Sequence, residues 1–149
     1  MESIDGVRIV RLKKVVNDRG HLMEVQRRDD GHFIGFGQAY VTCTRPGVIK
    51  AWYRHHEQID QIALIRGAAT VALFDDRPHS ASTGRTVECV LTEDSPALVQ
   101  IPPGVWHGFQ AQGPEPLYLL HLNSVAQKVG DPDEDRLPPD SLAIPYSWR

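Results

Sequence analysis

Residues 47–61 read GVIKAWYRHHEQIDQ and bring a lysine, a tyrosine, an arginine, two adjacent histidines, a glutamate and an aspartate into one run. A second polar cluster, IPPGVWHGF at 101–109, sets His107 between aromatics directly after a stiff Pro-Pro-Gly turn. If residues 50–57 are extended, Tyr53, His55 and Glu57 share one face, and Trp52, Arg54 and His56 the other. Adjacent histidines then cannot enter one pocket. Parity with Tyr53 gives His55 the working face and leaves His56 solvated. Imidazoles titrate near neutrality and a phenol only near pH 10, so a histidine beside a tyrosine pairs a base with an acid, as proton transfer at carbon requires. Taken alone, His107 reads as a half-buried histidine bonded to backbone. Taken together, His55, Asp60 and His107 also form a two-histidine, one-carboxylate set suited to Fe(II), Mn(II) or Zn(II). Asp60 serves equally well as a partner that orients a histidine.

The elements that must position these groups are strands. Eleven prolines and twelve glycines cut the chain into short segments, with β-branched runs at 7–12, 38–44, 59–65, 68–74, 86–91, 97–101 and 116–122 between them. Many short strands at near-regular spacing predict an all-β sandwich or barrel. No window of helical length carries a 3.6-residue period. Arg66-Gly67 predicts a turn, and the Pro- and Asp-rich stretch 127–149 is expected to wrap irregularly, anchored by Ile144, Tyr146 and Trp148 on one side.

A chain of 149 residues fits a single domain, residues 1–149, able to bury a core unaided. The net charge of -3 and pI near 6.1 offer no basic field for nucleic acid. There is no signal-peptide pattern and no bilayer-length apolar run, so a cytoplasmic protein with no membrane partner is expected. Cys43 and Cys89 lack disulfide or zinc spacing and read as buried, inert thiols.

The two clusters resemble the paired motifs of a cupin barrel. Tyr53-x-His55-x4-Asp60-x6-Gly67 matches the first, with Tyr for its first His and Asp for its Glu, and Pro102-x-Gly104-x2-His107 matches the second. The resemblance implies an antiparallel jelly-roll barrel with both clusters facing one cavity. A wider resemblance is carried by NDRGHLMEV (17–25), GVIKAW (47–52), IRGAATVALFDDR (65–77), IPPGVWHGF and PDEDRLPPDSLAIPYSW (132–148). It is to the dTDP-4-dehydrorhamnose 3,5-epimerase family. This implies epimerisation or isomerisation beside the keto group of a dTDP-linked, or other NDP-linked, 4-keto-6-deoxy sugar. It also implies no cofactor and a homodimer. On that pattern the family's base histidine falls on Tyr53 and its supporting aspartate on Asp140. Its later tyrosine acid falls in SVAQKV (124–129), which has no tyrosine, and a lysine falls on Asp60. Arg19 and Glu24 match substrate contacts, Gln38 a polar sugar contact, Lys50 a phosphate-binding arginine, and His107 the HGF histidine.

Three function classes follow. A sugar epimerase would use Tyr53, His55, His107 and Asp140 for catalysis, with Arg19, Glu24, Gln38, Lys50 and Asp60 against the nucleotide-sugar substrate. A metal-dependent, dioxygenase-like cupin would use His55, Asp60 and His107 as ligands of a divalent metal. A silent cupin would only bind sugar. Arg19 and Lys50 favour the two sugar classes, because a diphosphate calls for fixed positive charge. RRDDG (27–31) reads as a solvated turn and DPDED (131–135) as an acidic surface loop. His21, His32, His79 and His121 read as surface or satisfied histidines.

Overall fold

The computed structural model describes residues 3–149, which form strands and no helix. The first three strands are β1 (Arg8–Arg11), β2 (Lys14–Asn17) and β3 (Gly20–Met23). They are followed by β4 (Gln38–Thr44), β5 (Ile49–Arg54), β6 (Asp60–Arg66) and β7 (Ala68–Asp75). The remainder are β8 (Thr86–Thr92), β9 (Ala97–Ile101), β10 (Val105–Gln112), β11 (Leu117–Asn123) and the short β12 (Asp135–Arg136). Two five-stranded antiparallel sheets, ordered β1-β9-β6-β11-β4 and β12-β5-β10-β7-β8, carry the fold, and β2 and β3 form a separate hairpin. This is the jelly-roll architecture expected from the paired motifs.

Alternation along the strands supplies the core. Ile62, Leu64, Val99 and Leu119 from one sheet pack against Val71, Leu73 and Phe109 from the other. Each such side chain contributes roughly 1.5–3 kcal/mol on burial. The Arg66-Gly67 turn passes the chain from one sheet to the other, since β6 and β7 belong to different sheets. Gly67 has φ +91°, and a Cβ there would stand 2.8 Å from the Pro116 carbonyl oxygen, so only glycine fits this corner.

A second apolar cluster covers the outer face of the β5-β10-β7 sheet. Trp52, Ala72, Phe74 and Trp106 meet Ile144 there, with Leu137, Tyr146 and Trp148 packed alongside. Trp52 lies 5.1 Å from Trp148 and edge-on to Tyr146 at 5.7 Å, ring centre to ring centre. The anchors expected on the final segment thus hold it to the back of β5. One expectation fails. Cys43 points outward from the edge strand β4 and is exposed, and only Cys89 is partly buried, which pushes its thiol up to about 11.

Candidate active site

A cavity of about 540 Å³ opens between the two sheets, beside the end of β5 and the start of β6. Lys50, Tyr53, His107 and Phe109 line it from one sheet, and Gln38, Tyr40, Asp60, His121 and Asn123 from the other. Residues 55–58 and 131–134 form part of its rim. The alternation read from the sequence holds: Tyr53 and His55 line the cavity, while Trp52 is buried on the opposite face and Arg54 lies over Trp106 at 4.4 Å. His56 is exposed and pairs with Asp135 at 3.0 Å.

His55 follows β5 and is held from a distant part of the chain. Its Nδ1 lies 2.6 Å from the Asp133 carbonyl oxygen. A carbonyl only accepts, so Nδ1 carries a proton, and in the neutral ring Nε2 keeps its lone pair. The Asp133 carboxylate in turn accepts from the backbone N–H groups of His56, Glu57 and Gln58, each at 2.9 Å. Burial opposes its charge, but those three donors hold its pKa below the ordinary carboxylate value. The 131–135 run is therefore a brace for the site rather than the free acidic loop its composition implied.

His107 Nε2 lies 3.0 Å from Asp60 Oδ2, a contact that crosses from one sheet to the other. Its Nδ1 lies 3.0 Å from the Val105 carbonyl oxygen. Both ring nitrogens thus face acceptors, and both bonds are made only when the ring is an imidazolium paired with the Asp60 carboxylate. Burial alone would raise the Asp60 pKa. The His107 hydrogen bond, with the charges of His107, His121 and His55, outweighs it and keeps the group ionised. The other oxygen, Asp60 Oδ1, is buried without a partner.

Tyr53 is the register partner of His107, with ring centres 6.4 Å apart, and the Arg136 guanidinium stands 5.5 Å above its ring. The close approach of β5 to β10 requires Gly108, since a Cβ there would fall 2.3 Å from Ala51 Cβ. Six of the expected site residues therefore meet in one cavity: Gln38, Lys50, Tyr53, His55, Asp60 and His107. Three do not. Asp140 sits on an exposed turn outside the cavity lining, and it is the Asp133 backbone carbonyl that holds His55. Arg19 is on the exposed β2–β3 turn, and Glu24 pairs with Arg27 at 3.4 Å.

The family model for dTDP-4-dehydrorhamnose 3,5-epimerase matches residues 1–134. The chain belongs to this epimerase family. It is 38% identical over 145 residues to the spore coat polysaccharide biosynthesis protein SpsL of Bacillus subtilis, covering 97% of this chain and 96% of that one. It is 39% identical over 150 residues to the probable low-salt glycan biosynthesis epimerase Agl13 of Haloferax volcanii, covering 99% and 96%. Among solved structures, the dTDP sugar isomerase of Desulfovibrio desulfuricans G20 superposes with a TM-score of 0.92 at 31% identity, covering 97% of this chain and 92% of that one. The 3'-monoepimerase ChmJ of Streptomyces bikiniensis, in complex with dTDP-quinovose, shares the fold at 19% identity, with a TM-score of 0.85 and coverage of 99% and 77%.

Within this epimerase-family barrel, two polar groups escaped the sequence reading. His121 is buried on β11 and stacks on Tyr40 of β4, with ring centres 4.5 Å apart and planes at 10°. Burial holds its pKa below the ordinary histidine value, against the pull of Asp60. It is a buried cavity residue rather than a surface one, bonded at Nε2 to Thr42 and without a partner at Nδ1. Nothing in their neighbours marks Tyr40 or His121. The only available signal was alternation in 38–44 and 117–123, which aims Gln38, Tyr40 and Thr42 one way and Leu119, His121 and Asn123 one way.

Proposed function

We propose that this chain is a cofactor-free epimerase or keto-isomerase acting beside the keto group of an NDP-linked 4-keto-6-deoxy sugar, with His55 as its base. The observation that carries this is the fixed tautomer of His55, which leaves Nε2 as an acceptor at the cavity, 3.9 Å from the Asp60 carboxylate. The proton on the carbon next to the carbonyl passes to Nε2, and the electron pair moves onto the keto oxygen as an enolate. Asp60 stabilises the new imidazolium. Tyr53 offers a phenolic donor to the enolate oxygen. Lys50, Lys128 and Arg136 on the cavity lining supply positive charge for a diphosphate, and Gln38 a polar contact for the sugar.

Arg19 and Glu24 lie outside this chain's own cavity, and their hairpin exposes Val15, Val16 and Leu22. These facts support a homodimer in which the hairpin reaches the second subunit's site, and sedimentation as a monomer at working concentration would rule that out. No helix among the described residues is long and apolar enough to cross a membrane. Two free cysteines suit a reducing, cytoplasmic setting.

The test is a set of dTDP-, CDP- and GDP-linked 4-keto-6-deoxy sugars incubated in heavy water, with products followed by NMR. Deuterium entering the carbon beside the ketone, with inversion or carbonyl migration, is the expected result. No exchange with any of them refutes the reading.

One observation favours a second reading. One ring nitrogen each of His55 and His107 and one Asp60 oxygen lie within 4.8 Å of one another, and Asp60 Oδ1 has no partner. Both histidines tie Nδ1 to a backbone carbonyl, as metal-bound imidazoles do. Metal analysis of purified protein separates the two readings: a stoichiometric divalent ion, lost with activity on chelation, makes these three residues ligands.

A further inference from the structure

Two phenol–imidazole pairs face one another across the cavity. Tyr53 and His107 are register partners on β5 and β10, and Tyr40 and His121 are register partners on β4 and β11. The first pair belongs to one sheet and the second to the other, yet all four residues line the same space. We propose that Tyr40 delivers the proton to the second face of the substrate carbon, and that His121 positions Tyr40 for it.

This assignment rests on the epimerase reading above. It follows from stereochemistry. His55 stands with Tyr53 and His107, its ring 5.5 Å from that of His107. A proton returned from that side restores the starting configuration. Inversion needs a donor on the other side of the enolate plane, and Tyr40 is the hydroxyl-bearing aromatic on the facing wall. The step balances. The C–H electron pair, left on the enolate when His55 takes the first proton, re-forms a C–H bond with the Tyr40 hydroxyl proton. The ketone is restored and a phenolate remains. Asn123 Nδ2, 3.4 Å from the Tyr40 oxygen, donates to that phenolate. Tyr40 is 42% exposed, so water at the cavity mouth returns its proton and also relieves His55.

His121 suits a positioning role. Its Nε2 lies 2.9 Å from Thr42 Oγ1, which fixes the ring, and its flat face backs the phenol. Burial raises the pKa of Tyr40, the larger cause, with Asp60 adding to it, so the group enters the reaction as the protonated phenol.

The experiment uses dTDP-4-keto-6-deoxyglucose in heavy water and reads two quantities: deuterium in recovered starting sugar by mass spectrometry, and inverted product by NMR. Tyr40→Phe keeps the stack on His121. It should retain deuterium exchange while inversion falls about 100-fold or more, the usual contribution of a general acid. His121→Ala should lower inversion with exchange retained, and His121→Phe, which restores an aromatic platform, should recover most of it. Inversion by Tyr40→Phe within a few-fold of the parent overturns the assignment alone. So does loss of exchange together with inversion, which would make Tyr40 a binding group or the base. A parent enzyme that exchanges no proton overturns the epimerase reading and this assignment with it.

Discussion

Gly108→Ala tests how closely the active-site strand is held. The added Cβ would lie 2.3 Å from Ala51 Cβ, 2.9 Å from Ala51 Cα and 3.0 Å from the Lys50 carbonyl oxygen. Carbon atoms rest at about 3.8 Å, so the nearest contact is short by about 1.5 Å. Both offending residues lie on β5, and no flexible side chain stands in the way to yield. The strand itself must move, and it carries Lys50 and Tyr53. Overpacking of this kind costs about 1–3 kcal/mol, and an ångström of misplacement at reacting groups costs about 100-fold in rate. Urea unfolding should therefore show a lower midpoint at unchanged slope, and deuterium exchange into the keto sugar should slow by about two orders of magnitude. Adding Ala51→Gly removes the atom at 2.3 Å but leaves those at 2.9 and 3.0 Å, so it should restore part of both losses, a coupling read by a double-mutant cycle. Parent-like stability and exchange in Gly108→Ala would refute this account of the strand contact.

Tyr53→Phe should keep the fold and nucleotide affinity while turnover falls about 100-fold or more, because only the phenolic donor is lost; calorimetric titration with dTDP separates binding from rate. Trp52→Ala should cost about 3–5 kcal/mol in chemical denaturation, since the ring is fully buried against Tyr146 and Trp148. Acid should destabilise the protein in two stages, followed by thermal melts across pH. His121 has a folded pKa below the ordinary histidine value of 6.5, so its unfolded form binds the proton first and stability falls as pH drops below that value. Asp60, Asp75, Asp133 and Asp135 have folded pKa values below 3.8, so their stabilisation is present above that value and is lost as pH falls through their folded range.

Much of the barrel was legible because strands advertise themselves locally. The run 38–44 became β4, and 97–101 became β9, residue for residue. Parity put Tyr53 and His55 on one face, and the cupin resemblance, not local pattern, brought His107 to the same cavity, where it stands beside Tyr53 in one sheet rather than across from it. The β2–β3 hairpin was not read, since four-residue strands with mostly exposed faces leave no alternating pattern. Asp133 was missed for a different reason. An acidic run in a Pro-rich stretch looks solvated until the chain folds back on residues 55–58, and nothing local records that return. Tyr40 and His121 fall in the same class, since their meeting depends on the register of β4 against β11. Asp140 was assigned by position in a family pattern, and it lies on an exposed turn outside the cavity lining.

The segment that braces the site also sets when the site comes into being. His55 waits for Asp133, 78 residues later, and Trp52 bonds through its indole to Pro139, 87 residues later. A ribosome adds roughly 5–20 residues per second, so several seconds separate the synthesis of His55 from that of its brace. During that interval β5 has neither its backing aromatics nor its tautomer lock. A nascent chain can hold the imidazole and the phenol and still lack the contacts that fix them in the cavity. Completion of the site is thus a long-range event of the kind that contact order governs, rather than one of local hairpin formation.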